Sequence, residues 1–247
     1  MNPVKRDKSV EVKYRKTLEK ITRTITGDVN NIIIPLLREL QPEYIGDAYA
    51  KTLEEAFDRL RVMYNNVNVN AKIVSESFVT SSNQANKNRF YSAMKSAIGI
   101  NVESVVQNEG LEDILIATTR ENVALIKSIP EEYLKKVEGI VFRGTIQGNT
   151  STSMIKQLQK LNKSTTKRAK LIARDQTAKL NAALVEKRSK NLAVEEYIWR
   201  TAGDERVRPN HASKNGKVFR WDDPPKDTGH PGQDIQCRCV AQVIINV

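Results

Sequence analysis

Residues Pro209–Cys239 read PNHASKNGKVFRWDDPPKDTGHPGQDIQCRC, and this stretch holds both histidines and both cysteines of the 247-residue chain. It is flanked by EYIWRTA (Glu196–Ala202) and CVAQVIINV (Cys239–Val247), both rich in aromatic and β-branched residues, and it contains the alternating GKVFRW. Such runs favour strands, and the Gly, Pro and Asp clusters between them favour turns. The segment 195–247 is therefore predicted to be a small β-containing module.

Two imidazoles and two thiols form the donor set of a tetrahedral structural zinc site, so His211, His230, Cys237 and Cys239 are the candidate metal ligands. If the cysteines open a strand, positions i and i+2 share a face and both thiolates can reach one ion. A short module with few apolar residues and long loops would also need such a staple. The alternative is that the histidines make loop hydrogen bonds and the cysteines are buried as small hydrophobes. A catalytic variant is a metal-dependent nuclease built on Asp204, His211, Asn215, Asp222, Asp223 and His230, with histidine as general base. Against it, WDDPPKD also reads as an ordinary polar turn, and Asp204 is expected to pair with Arg206 or Arg208. The Cys-Arg-Cys spacing argues against a disulfide between the two thiols.

Upstream of this module the periodicity is helical. Tyr44, Ala48, Leu53, Ala56, Leu60 and Met63 fall at near-helical spacing; NNVNVN (Asn65–Asn70) reads as a break, and NRFYSAMKSAIG as a helix ending at Gly99. Pro35 is expected to start or kink a helix. ENVALIKSIPEEYLKKVEGIVFRG is predicted to be two helices divided at Pro130 and capped by Ser128. TSMIKQLQKL and the following STTKRAKLIARDQTAKLNAALVEKRSKNL are predicted to be separate helices, the second opened by Ser164 or Thr165. The expected fold is mainly α with a small C-terminal α+β module. It divides into an elongated helical N-terminal region (1–100), a helical middle region with a basic helix (101–194) and the terminal module (195–247).

The chain carries a net charge of +11, which points to a polyanionic partner, either nucleic acid or an anionic membrane surface. Ten basic residues, Lys160, Lys163, Lys167, Arg168, Lys170, Arg174, Lys179, Lys187, Arg188 and Lys190, face only two acids, Asp175 and Glu186, in the same segment. They are the candidate contacts to DNA phosphates; the competing reading is a solvated helix whose charges aid solubility. The longest apolar run, NIIIPLL, is too short to span a bilayer, and MNPVKRDKSVEVKYRKTLEK lacks the apolar stretch of a secretory signal. An intracellular, reducing environment without a membrane anchor is expected. Phosphate-binding, dinucleotide-binding and serine-hydrolase signatures are absent from the sequence.

IWRTAGDERVRPNHASKNGKVF, followed by GHPGQDIQCRC and a short apolar tail, resembles the C-terminal signature of the Mu F-like minor head proteins, or head morphogenesis proteins, of tailed bacteriophages. The resemblance covers roughly Leu111–Val247 and rests on Trp199, Asp204, Arg208, His211, Gly216, Pro231, Cys237 and Cys239 in order. Gln176 departs from it, since an acid is expected after IAR. The resemblance implies a non-enzymatic virion component made in the infected bacterial cytoplasm. Its implied partners are the portal, the major capsid protein or scaffold, and packaged double-stranded DNA touched without sequence preference. A host DNA-binding protein unrelated to phage is a further possibility.

Overall fold

The computed structural model describes residues 1–39, 47–65, 67–104, 106 and 108–245, giving only the backbone for 47, 48 and 67–69. Tyr44 and the side chain of Ala48, both in the predicted N-terminal pattern, lie outside what is described. In chain order the elements are α1 (Lys8–Glu39), α2 (Asp47–Asn65), α3 (Val67–Ile98), a single 3-10 turn (Val102–Ser104), α4 (Glu112–Ile146), α5 (Ser151–Asn191), β1 (Glu196–Arg200), α6 (Pro209–Ala212), β2 (Val218–Arg220) and β3 (Val240–Val243). The protein is thus mainly helical with a small antiparallel sheet near its C-terminus, as its sequence predicts.

Four of the local predictions need correction. The first is Pro130, which lies inside one continuous helix, α4, and Ser128 caps nothing: its hydroxyl donates back to the Leu125 carbonyl at 2.7 Å. The second is the division of the next segment, because α5 runs unbroken through Ser164–Thr166. The hydroxyls there bond to carbonyls one turn earlier, Ser164 and Thr165 to Leu161 and Thr166 to Asn162. A hydroxyl satisfied inside its own helix offers the chain no alternative to the helix. Third, the break predicted at NNVNVN is there but narrower than the six residues, since α2 ends at Asn65 and α3 already begins at Val67. Fourth, Pro35 does not start a helix but lies inside α1. The end of α3 is as expected: the helix stops at Ile98, and Gly99 takes the left-handed conformation (φ 77°) that terminates helices.

The chain forms two compact units, each assembled from separated segments and so cut differently from the linear division at residues 100 and 194. One comprises 14–75 and 121–172. Its core is a helix-on-helix cluster: Ile25, Val29, Ile33 and Leu37 from α1, Phe57 and Leu60 from α2, Tyr133, Val137 and Val141 from α4, and Leu158 from α5. The α1 contribution repeats every four residues, the spacing that keeps side chains on one helical face.

The other unit comprises 1–13, 76–120 and 173–247 and contains the sheet. Strand order is β2-β1-β3, with Tyr197 opposite Phe219 and Val243, and Trp199 opposite Ala241. Alternation along β1 sends Tyr197 and Trp199 to one face, where both are fully buried among Phe90, Met94, Val185 and Trp221. Truncating an aromatic buried in this way costs about 3–5 kcal/mol. Sheet and helices together present the loops that carry the histidines and cysteines.

Candidate metal centre

Cys237 and Cys239 do not open a strand as expected; they lie in the loop just before β3, which begins at Val240. Gln236 precedes them in the left-handed conformation (φ 61°), an uncommon geometry for a residue with a side chain. It is held there from α5, because the buried Asp175 carboxylate accepts the Gln236 backbone N–H at 2.7 Å. Asp175 also pairs with Lys179 at 3.0 Å, so that lysine is not a free phosphate contact. The carboxylate next to Gln176 is therefore what fixes the cysteine loop, a role that sequence reasoning missed.

His211 sits in the short α6, which opens with Pro209 at its first position. The ring is buried, with the Trp199 indole packed edge-on against it at 5.5 Å. Its Nδ1 lies 3.5 Å from the sulfur of Cys237 and 3.5 Å from that of Cys239. A tetrahedral zinc with Zn–S near 2.3 Å and Zn–N near 2.0–2.1 Å places nitrogen and sulfur about 3.5 Å apart. All three donor atoms lie within 4.8 Å of one another, and no other such group of His, Cys, Asp or Glu donors occurs among the described residues. On its far side, His211 Nε2 meets the Asp234 carboxylate at 2.9 Å. A carboxylate on the outer nitrogen fixes the tautomer that leaves Nδ1 free as a ligand, the arrangement metal-bound histidines commonly have.

The sulfurs are prepared as well. Backbone N–H groups of Gly232 and Cys239 point at the Cys237 sulfur at 3.3 and 3.4 Å. The Cys237 thiol is brought down to about 5, first by a hydrogen bond from the neighbouring Cys239 thiol and then by those amides, against the opposing effect of burial. Cys239 moves the opposite way, raised by its hydrogen bond to Cys237, by burial and by the Cys237 charge. Gly232 (φ 97°) lets the loop pass this close to α5, since a Cβ there would stand 2.8 Å from that of Ala182.

The fourth expected ligand, His230, is elsewhere. Its Nδ1 lies 2.9 Å from the Tyr197 hydroxyl, its ring packs against Tyr197 and Trp221, and burial is the main cause holding its pKa below the ordinary value. The carboxylates of the nuclease alternative are not gathered either. Asp204 binds the Arg238 guanidinium through both oxygens and takes from Arg206 only its backbone N–H, at 3.2 Å, so the expected side-chain pairing with Arg206 or Arg208 is not made, and Asp222 pairs with Arg220 at 2.9 Å. The Asn215 side chain accepts the Thr201 N–H. Arg208 instead joins the loop around the site, bonding the Ile235 carbonyl at 2.6 Å and Asp234 at 3.4 Å. Gly216 (φ 81°) turns the chain so that its N–H reaches the Trp199 carbonyl, and Pro231 is buried.

Of the residues that resembled a known signature, His211, Cys237 and Cys239 thus meet at one site, with Trp199 packed on it and Arg208 bonded to its loop. Residues 135–242 match the family described as Phage Mu protein F like protein. Over this segment the chain is similar to the Mu F-like phage proteins. An uncharacterized protein of Haemophilus influenzae is 34% identical over 248 residues, covering 96% of this chain. The chain spans about half the length of that relative, 54%. No solved structure matches. The Mu F-like segment includes α5 and the whole metal-ligand cluster. Among the described residues no helix is long and apolar enough to cross a membrane.

The basic helix is less uniform than its sequence implies. Arg188 is buried and binds Glu109, Asn83 and Asn86, so it is unavailable to a phosphate. Arg168 bonds Ser128 and Glu132, Lys190 pairs with Glu186, and Lys170 lies 3.7 Å from Glu19. Lys187 and Arg174 are half-buried. Lys160, Lys163 and Lys167 are exposed, and together with exposed Lys156 and Lys170 they follow a spacing of four, three, four and three residues. That spacing forms a single stripe about 21 Å long on one side of α5. Lys156 lies just outside the predicted basic segment; periodicity, had it been applied to charge, would have found it.

Proposed function

We propose that this chain is a structural minor head protein of a tailed bacteriophage, acting in head morphogenesis and in DNA packaging or delivery. The observation that carries the reading is the Mu F-like match at residues 135–242, a segment that contains the His211, Cys237 and Cys239 cluster. Assembly in the bacterial cytoplasm, a place in the phage head or at the portal vertex, and contacts with portal, major capsid or scaffolding protein follow from that family. The module works without catalysis, its His, Cys and Asp side chains serving to hold the loops. Zinc bound by His211, Cys237 and Cys239 is the proposed staple; His230, in its aromatic box, packs the core instead of binding the ion.

The lysine stripe supports a sequence-neutral contact with double-stranded DNA. Ser151–Arg174 holds seven basic residues and no acid, so nothing on this stretch of α5 repels a phosphate. Aromatic residues for base stacking are absent from the same stretch, which favours a duplex backbone over single strands. Affinity for mixed-sequence duplex is expected to fall steeply with salt. Changing Lys160, Lys163 and Lys167 to Gln should flatten the slope of log K against log salt by about 2–3, near 0.9 per phosphate contact. A slope unchanged by the triple substitution, or binding indifferent to salt, would refute the contact. For the assembly role, mass spectrometry of purified heads should detect the chain in few copies; its absence from immature and mature particles alike would refute that.

A further inference from the structure

We infer that the His211–Cys237–Cys239 centre is open, and that its fourth coordination position receives a small anionic oxygen ligand, a carboxylate or phosphate group, met by Arg174. This rests on the metal reading above and goes beyond it, since a staple alone would be closed by four protein ligands. Three facts carry the inference.

First, the chain supplies three donors. Among the described residues no fourth histidine, cysteine or carboxylate joins the cluster. The nearby carboxylates are committed: Asp234 to the outer nitrogen of His211, Asp204 to Arg238, and Asp175 to the Gln236 amide and Lys179. Three protein ligands and a vacant position are the pattern of a zinc site that binds an exogenous ligand.

Second, all three donors line one cavity of about 160 Å³, room for a small anion together with water. Third, the remaining wall is cationic: Arg174, Arg206, Arg208 and Arg238 face the same space. Three of these guanidiniums already have partners, Arg206 loosely with Glu205 at 3.6 Å, Arg208 with Asp234 and Ile235, and Arg238 with Asp204. Arg174 has none among the described residues, and its Nε is buried without a hydrogen bond. A buried guanidinium N–H without an acceptor carries a desolvation penalty that an incoming anion would remove. Zinc with two thiolates and an imidazole is close to neutral overall, so the uncompensated positive charge of Arg174 sets the preference for an anion.

The test uses the full chain loaded with Co(II) in place of zinc. A near-ultraviolet sulfur-to-cobalt charge-transfer band with the intensity of two thiolates establishes the metal centre independently. Inorganic phosphate and acetate are then titrated separately while the visible ligand-field bands are followed. At least one should shift the bands saturably with one anion per metal, and the stronger of the two identifies the class. In Arg174→Gln the half-saturation concentration should rise at least tenfold with Co(II) affinity unchanged, and Arg174→Lys should recover part of the loss. A two-thiolate band whose ligand-field spectrum ignores both anions overturns the open position and leaves the staple standing. A response identical in R174Q overturns the role of the arginine. A missing charge-transfer band removes the metal centre, and this inference with it.

Discussion

Arg188 shows how a charge read as a surface contact becomes part of a core. Its side chain is wholly buried, and the guanidinium grips Glu109 at 2.7 and 2.8 Å while bonding Asn83 and Asn86. Burial alone would push the Glu109 carboxyl up, but hydrogen bonds from Arg188 and Tyr91 outweigh it and hold the group below its ordinary 4.5. A carboxyl depressed on folding contributes stability fully above its unfolded pKa and loses it as pH falls through the folded value. Arg188→Met should therefore destabilise the protein by about 1–3 kcal/mol at neutral pH, because it leaves the half-buried Glu109 carboxylate and its asparagine neighbours without their partner. It should also remove part of the loss of stability expected of the wild type as pH falls below 4.5. Urea unfolding across that pH range measures both, and adding Glu109→Gln should restore much of the neutral-pH loss. A second prediction at this scale concerns Asp234. Since it holds His211 only from the far side, Asp234→Asn should weaken zinc or Co(II) binding by about 10–100-fold with the helical content unchanged. An unaltered metal affinity in a competition titration would show that the histidine needs no such support.

At the scale of elements, the long helices show which sequence signals carry over into structure and which mislead. Hydrophobic periodicity marked the α2 region as helical, because burying one face decides where a helix lies, and the segments of α4 and α5 were read as helical although each was wrongly divided in two. Punctuation misled at Pro130 and at Ser164–Thr165, where residues common at helix starts sit in mid-helix. A cap needs the preceding chain to turn away, and at Ser164 the residues before it are helical, so the hydroxyl bonds backward to Leu161 instead. The two readings predict opposite signs for Ser164→Ala. Loss of a cap would cost about 1 kcal/mol, whereas at an exposed mid-helix position alanine is the better helix former by up to about 0.5 kcal/mol. A small rise in the thermal midpoint is expected; a fall of several degrees would return Ser164 to a helix start. The sheet was legible for a simpler reason, since Tyr197 and Trp199 alternate with less buried neighbours over a strand too short for any other period. The exact place of the cysteines was not, because the turn at Gln236 depends on Asp175, 61 residues away.

On the scale of the whole molecule, the sequence reports total charge and total ligand supply, and the fold decides which of them are usable. Four of four soft donors were legible as a set, yet only three converge, since Tyr197 and Trp221 claim His230 for the core. The excess of lysine and arginine was legible too, but only packing distinguishes Arg188 from Lys163. All three metal donors belong to the unit that contains the sheet, and the separate apolar cluster around Phe57, Leu60, Tyr133 and Val137 contributes none of them. A staple acts where it ties loops together, because removing it restores conformational freedom to those loops first. Stripping zinc from the loaded chain with a chelator should therefore raise amide hydrogen exchange across residues 196–243. Segments 53–60 and 133–141, whose protection comes from helix packing, should keep their rates. Exchange in 196–243 that is unchanged by chelation would mean the sheet and its aromatic face hold the loops without metal, and a uniform rise along the chain would mean that the ion supports more than the loops that bind it.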